Sequence, residues 1–129
     1  DTSLRLTLEA RIRERLAASK HCLVILSDET RNSGSMLSYE IEKAVDKYDL
    51  PLICIYIGYE TIYLPEKFSN RWPNALKERI QDKTANAIHI PFKKNILLEA
   101  INQFSVNNQT PSSALTTYTK DAQIRLNAK

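Results

Sequence analysis

The sequence predicts an α/β domain in which helices cover both faces of a parallel sheet. Three short runs, CLVILS at 22–27, PLICIYI at 51–57 and AIHIP at 87–91, are almost wholly apolar and too short to be helices. Strands buried on both faces read as such continuous apolar runs, and this is the habit of parallel sheets. Between and around the runs, apolar residues return every three or four positions. Strand and helix therefore alternate, and alternation is the pattern of a parallel sheet with helical crossovers.

Taken in order, 4–19 reads as a helix. Leu8, Ile12 and Leu16 fall on one face, and Arg11, Arg13, Glu14 and Arg15 decorate the others. The run 22–27 is the first strand, rich in branched residues and expected to be buried on both faces. Residues 28–35 form a polar loop, and 35–48 returns to helical spacing through Leu37, Ile41, Ala44 and Val45. A second strand at 51–57 is closed by Gly58. The stretch 60–72 is irregular and aromatic, and Pro65 and Pro73 forbid a long helix there. Pro73 suits the start of a short helix reaching Asp82. The third strand at 87–91 is followed by a helix over 93–104 whose inner face is Ile96, Leu97, Ala100 and Ile101. After Ser105 the chain turns polar (VNNQTPSS). Residues 106–129 are expected to be a C-terminal linker or tail with a short helix at 117–128.

The order of elements gives a flavodoxin-like three-layer sandwich. A bare edge strand is a liability in such a sheet, and 22–27 carries apolar residues at nearly every position. It is expected to have a strand on each side, so an N-terminal strand and its loop are expected to be missing from the sequence shown.

The chain has 129 residues, enough for one domain with a real core. Its net charge of +3 comes from 18 basic and 15 acidic residues interleaved along the chain, which argues against a nucleic-acid partner. No apolar run approaches the roughly 20 residues of a membrane span. Cys22 and Cys54 both lie in strand runs and read as buried, reduced thiols without metal-site spacing. The cytoplasm is the expected compartment, and no metal is expected.

The chemistry-bearing stretch is 22–45. A buried strand leads into a polar loop, and the loop leads into a helix carrying Glu40 in its second turn; open α/β sheets build sites at such strand ends. Glu40 is either the carboxylate of a site or a solvated helix residue favoured by the nearby helix N-terminus. Asn32, Ser33, Ser35 and Ser38 are candidates to bind ribose or phosphate oxygens at that helix start. Ser33 or Ser35 equally suits the role of its N-cap. His21 and His89 read as structural. Tyr56, Tyr59, Tyr63, Phe68 and Trp72 form an aromatic patch, by default packing and otherwise a stacking or contact surface. Two glycines in the whole chain argue against a phosphate-binding glycine loop.

The segments LEARIRERLAASKHCLVILSDET, NSGSMLSYEIEKAV and DLPLICIYIG resemble the bacterial TIR-like domains of Thoeris antiphage-defence proteins. The later NAIHIPFKKNILLEAINQF is similar to the family's closing strand and helix, so the resemblance spans about 8–104 and a TIR-like domain is assigned to 1–105. In the family the helix opens close to S-x-W-x-x-x-E-[IL]. Here the glutamate is Glu40, followed by Ile41. Met36 stands where Trp is common, and Gly34, between Ser33 and Ser35, stands where Ser is expected.

The resemblance implies that NAD is a substrate, not a retained cofactor. It implies cleavage of the nicotinamide–ribose bond with Glu40 as the catalytic carboxylate, releasing an ADP-ribose-type, possibly cyclic, signalling nucleotide for a separate effector. It also implies self-association with like domains. Two alternatives stay open: a non-catalytic assembly module, and an N-glycosidase acting on another nucleotide. A response-regulator phosphoacceptor at Asp28 or Glu29 is disfavoured, because no acid cluster precedes the first helix and Lys93 lies beyond Pro91 and Phe92.

Overall fold

The computed structural model describes residues 2–30 and 35–128, with the side chains of Thr2 and Ser35 excepted. Five helices, a 3-10 helix and three strands follow one another in it. They are α1 (Thr2–Ala17), β1 (Cys22–Leu26), α2 (Ser35–Asp46), β2 (Leu52–Tyr56), the 3-10 helix Pro65–Arg71, α3 (Asn74–Gln81), β3 (Ala87–Pro91), α4 (Lys94–Gln103) and α5 (Lys120–Asn127). The three strands form one parallel sheet in the order β1-β2-β3. Cys22 lies beside Leu52, and Leu52 beside Ala87, at the start of the register. This is the α/β architecture expected from the sequence, a parallel sheet with helices on both faces, consistent with a flavodoxin-like fold.

Each face of the sheet has its own core. On one face Cys22, Val24 and Leu26 line up with Leu52, Cys54 and Tyr56, and these pack under Leu16 of α1, Ile41, Ala44 and Val45 of α2, and Ala75, Leu76 and Ile80 of α3. On the other, Ile53, Ile55, Ile88 and Ile90 pack under Ile96 and Ala100 of α4, Phe104, and Leu126 of α5. Helix spacing and strand alternation thus meet layer by layer.

Three expectations change. First, β1 is not buried on both faces. Leu23 is 40% exposed and Ile25 53% exposed, while Cys22, Val24 and Leu26 are buried. In register, Leu23 and Ile25 continue the row of Ile53 and Ile55, but α4 and α5 cover that row only over β2 and β3. Among the described residues the outer edge of β1 pairs with no strand. Second, the aromatic stretch is not wholly irregular, since Pro65 opens the 3-10 helix Pro65–Arg71. Third, the stretch expected to be a C-terminal linker or tail with a short helix packs against the sheet through described residues between 113 and 126. Ser113 and Thr116 bond the backbone of Ala87 and His89 along the outer edge of β3, and Thr116 bridges to Ile88. Gln123 is buried: its side-chain oxygen accepts from the Ile62 N–H at 2.9 Å, and its amide nitrogen donates to the carbonyls of Ile62 at 2.8 Å and Tyr118 at 3.0 Å. Thr119 caps α5 by accepting from the Ala122 N–H at 3.1 Å.

A polar chain closes the core beneath β2 and β3. The Trp72 indole donates to the Tyr56 hydroxyl at 2.9 Å, Tyr56 donates to His89 Nδ1 at 2.7 Å, and His89 Nε2 donates to the Ala114 carbonyl at 2.8 Å. Every polar atom in this chain has a partner, as buried polar groups require. Burial holds the His89 imidazole neutral, lowering its pKa to about 4, and raises that of the Tyr56 phenol. His89 is thus structural, and the aromatic patch is mostly core: Tyr56 and Trp72 are buried and only Tyr63 is exposed.

Among the described residues no helix is long and apolar enough to cross a membrane.

Candidate functional site

Glu40 projects from α2 toward the end of α1, and both of its carboxylate oxygens are engaged. Oε2 accepts from Arg15 Nη2 at 2.5 Å. Oε1 accepts from the Cys22 thiol at 3.7 Å, a weak sulfur bond. Burial, then the neighbouring Glu40 charge, pushes the Cys22 thiol up to about 12, so Cys22 acts as a neutral donor and not as a nucleophile. Cys54, buried one strand away, is likewise held as a thiol.

This cluster opens onto a cleft of about 370 Å³ lined by Arg15, Leu16, Ser19, His21, Cys22, Leu23 and Glu40. His21 Nδ1 donates to the Phe104 carbonyl at 3.1 Å. The Ser19 hydroxyl donates to the Arg15 carbonyl at 2.6 Å. A carboxylate, a guanidinium, a hydroxyl and an imidazole therefore border one opening. The Arg15 side chain is 60% exposed and that of Glu40 21%, so their pair has the roughly 0–1 kcal/mol value of a solvated ion pair and is easily exchanged.

The cleft lies at the beginning of β1, where Cys22 is the first residue. The polar loop that starts at Asp28 leaves from the other end. The expectation that strand, loop and carboxylate converge at the C-terminal end of β1 is therefore corrected. The cause is the helix: α2 runs back antiparallel to β1, and its second turn has already travelled toward the strand's start.

Of the other candidates, Asn32 and Ser33 lie outside the described residues. Ser35 opens α2, but its side chain is outside them as well. Ser38 is half-buried on α2, two positions before Glu40, and residues two apart do not share a helix face. Met36, half-buried and four before Glu40, does share its face. Neighbouring Tyr39 accepts from Arg13 Nη1 at 2.5 Å, a second tie between α1 and α2.

At the C-terminal edge of the sheet, Arg71 binds several loops together. It donates to the Ile57 carbonyl at 3.0 Å, to Asp28 Oδ1 at 2.6 Å and to the Tyr59 hydroxyl at 3.2 Å, with its guanidinium 4.9 Å from the Tyr59 ring centre. Thr30, buried, accepts from the Ser27 N–H at 2.6 Å and fixes the first turn of the loop. Asp28 is 87% exposed and Arg71 12%. Lys93 pairs with Glu60 at 2.8 Å. Among the described residues there is no group of His, Cys, Asp and Glu able to hold a metal ion.

Arg15 was not singled out from the sequence, where it reads as one of several solvated arginines on α1. Only the crossing of α1 and α2 brings it to Glu40. A comparison with protein families matches residues 1–62 to the family described as Thoeris protein ThsB, TIR-like domain. The matched span runs from α1 through β2 and holds the whole Glu40 cleft.

Proposed function

Through residues 1–62 the chain belongs to the Thoeris family of TIR-like domains, a family of antiphage defence, and from that footing we propose that it cleaves the nicotinamide–ribose bond of NAD. The observation that carries the reading is Glu40, a helix carboxylate at the mouth of a polar cleft and within the matched span. When the glycosidic bond stretches, positive charge grows on the ribose ring. A fixed carboxylate that bonds the ribose hydroxyls stabilises that charge more in the transition state than in the ground state. The breaking C–N bond leaves its electron pair on nicotinamide, which departs neutral because it was cationic in NAD. No general acid is needed. Attack of water at the anomeric carbon, with loss of a proton, gives ADP-ribose. Attack by a nucleophile within the same molecule gives a cyclic product. Either product would serve as a cytoplasmic second messenger for a separate effector protein.

Asn32, Ser33, Ser35 and Ser38 are proposed for sugar and phosphate oxygens away from the ribose that Glu40 faces, since the loop leaves β1 at the end opposite the cleft lined by Glu40. NAD is consumed, so no bound cofactor is invoked. A second reading, a non-catalytic module that assembles with copies of itself, is favoured by one observation: among the described residues the outer edge of β1 pairs with no strand, and Leu23 and Ile25 are exposed. An N-glycosidase for another nucleotide is separated by substrate profiling.

The test is turnover of NAD by wild-type protein and Glu40→Gln, with nicotinamide release followed by chromatography. Loss of about 10²–10³-fold or more in rate supports the enzyme. Equal rates exclude Glu40 as the catalytic group.

A further inference from the structure

Arg15 has a second use in this cleft. Its guanidinium carries five N–H donors in a fixed fork, and Glu40 Oε2 takes one of them. The side chain is 60% exposed at the cleft mouth, whereas the side chain it contacts is mostly covered. Glu40 itself has a second anchor, the Cys22 thiol on Oε1. Removing Arg15 from the pair therefore frees one carboxylate oxygen while the other stays tethered to the first residue of β1.

A carboxylate neutralised by a guanidinium stabilises a growing positive charge poorly. A ligand that draws Arg15 away removes that handicap. Phosphate does this well: guanidinium and phosphate match as a bidentate pair, which a single contact to one carboxylate oxygen does not equal. We propose that Arg15 recognises the phosphate groups of the substrate and, in exchanging Glu40 for phosphate, releases Glu40 Oε2 to the ribose. This rests on the reading of Glu40 as the ribose-binding carboxylate, and it extends that reading to specificity. The cleft selects nucleotides over nucleosides, and the same exchange switches its carboxylate on. Arg15 is thus a binding residue for phosphate and a gate for Glu40.

The exchange predicts a particular split. With NAD as substrate, Arg15→Ala raises KM by about 10- to 100-fold, the value of one lost charge-assisted contact. With nicotinamide riboside, which carries no phosphate, KM hardly moves, and Arg15→Lys falls between wild type and Arg15→Ala on NAD. A direct readout uses ADP-ribose as the probe in titration calorimetry: wild type binds it, and Arg15→Ala binds it at least about 10-fold more weakly at low salt. Circular dichroism verifies that each variant is folded.

Equal ADP-ribose affinity in wild type and Arg15→Ala overturns the proposal. So does a variant that loses turnover of NAD and of nicotinamide riboside alike with an unchanged KM for NAD, since Arg15 would then only hold Glu40 in place. If wild type releases nicotinamide from neither substrate, the NAD-cleaving reading fails, and calorimetry alone decides phosphate recognition.

Discussion

Lowering the pH should weaken this fold through one residue, His89. Its imidazole is buried between Tyr56 and the Ala114 carbonyl. Burial lowers its pKa from 6.5 to about 4, the bond to the Ala114 carbonyl opposing the shift only in part. In the unfolded chain His89 takes up a proton as pH falls through its ordinary value; in the folded chain it does not until about 4. Between those values the unfolded state binds more protons, so stability rises with pH across that window. The contribution is complete above the unfolded value and is lost as pH falls to the folded one. At about 1.4 kcal/mol per unit of difference, it amounts to about 3 kcal/mol, or roughly 10 °C in Tm for a domain of this size. Two measurements check it. Urea unfolding across the window gives the stability slope. The imidazole proton resonances of the chain's two histidines, followed on the native protein, then identify one that stays unprotonated down to pH about 5. If both imidazoles titrate near the free-histidine value while the fold persists, the buried neutral His89 is wrong.

Two further outcomes follow from packing. Gln123→Leu should cost about 2–5 kcal/mol in urea unfolding, because it leaves the buried N–H and carbonyl of Ile62 and the half-buried Tyr118 carbonyl without the partners that Gln123 supplies; a loss below about 0.5 kcal/mol would mean that α5 is not docked as described. Ile55→Thr should destabilise by about 2 kcal/mol or more, whereas Ile25→Thr, on the same face but half in solvent, should cost less than about 1 kcal/mol; equal costs would mean that the face of β1 is covered in solution.

Much of the scaffold was legible in the residues. Ile53, Cys54 and Ile55, and Ile88 and Ile90, sit in runs where every position is apolar or packed, and both strands are buried on both faces. The same pattern in 22–26 led to the same expectation, and there it failed. Burial of Leu23 and Ile25 depends on how far α4 and α5 reach across the sheet, and no local pattern encodes that reach. The segment after Ser105 misled for a different reason. Its anchors are backbone bonds from Ser113 and Thr116, the single amide of Gln123 and a few scattered apolar residues such as Ala114 and Leu126, too sparse to read as a stripe.

At the site, Glu40 stood out by its place after the polar loop and before Ile41, but its surroundings did not. Arg15 is 25 positions upstream in another helix, and the direction in which α2 carries Glu40 is a property of the antiparallel crossover. Asn32 and Ser33 lie outside the described residues.

The central claim, NAD cleavage by Glu40, is tested most directly by one assay. Wild type and Glu40→Gln are incubated with NAD over protein concentrations spanning self-association, and nicotinamide and the nucleotide product are resolved by chromatography with mass detection. The account predicts nicotinamide release by wild type, a loss of about 10²–10³-fold or more in the variant, and a product mass that separates ADP-ribose from its cyclic form. Release that is undiminished in Glu40→Gln, or absent from wild type at every concentration, would contradict it.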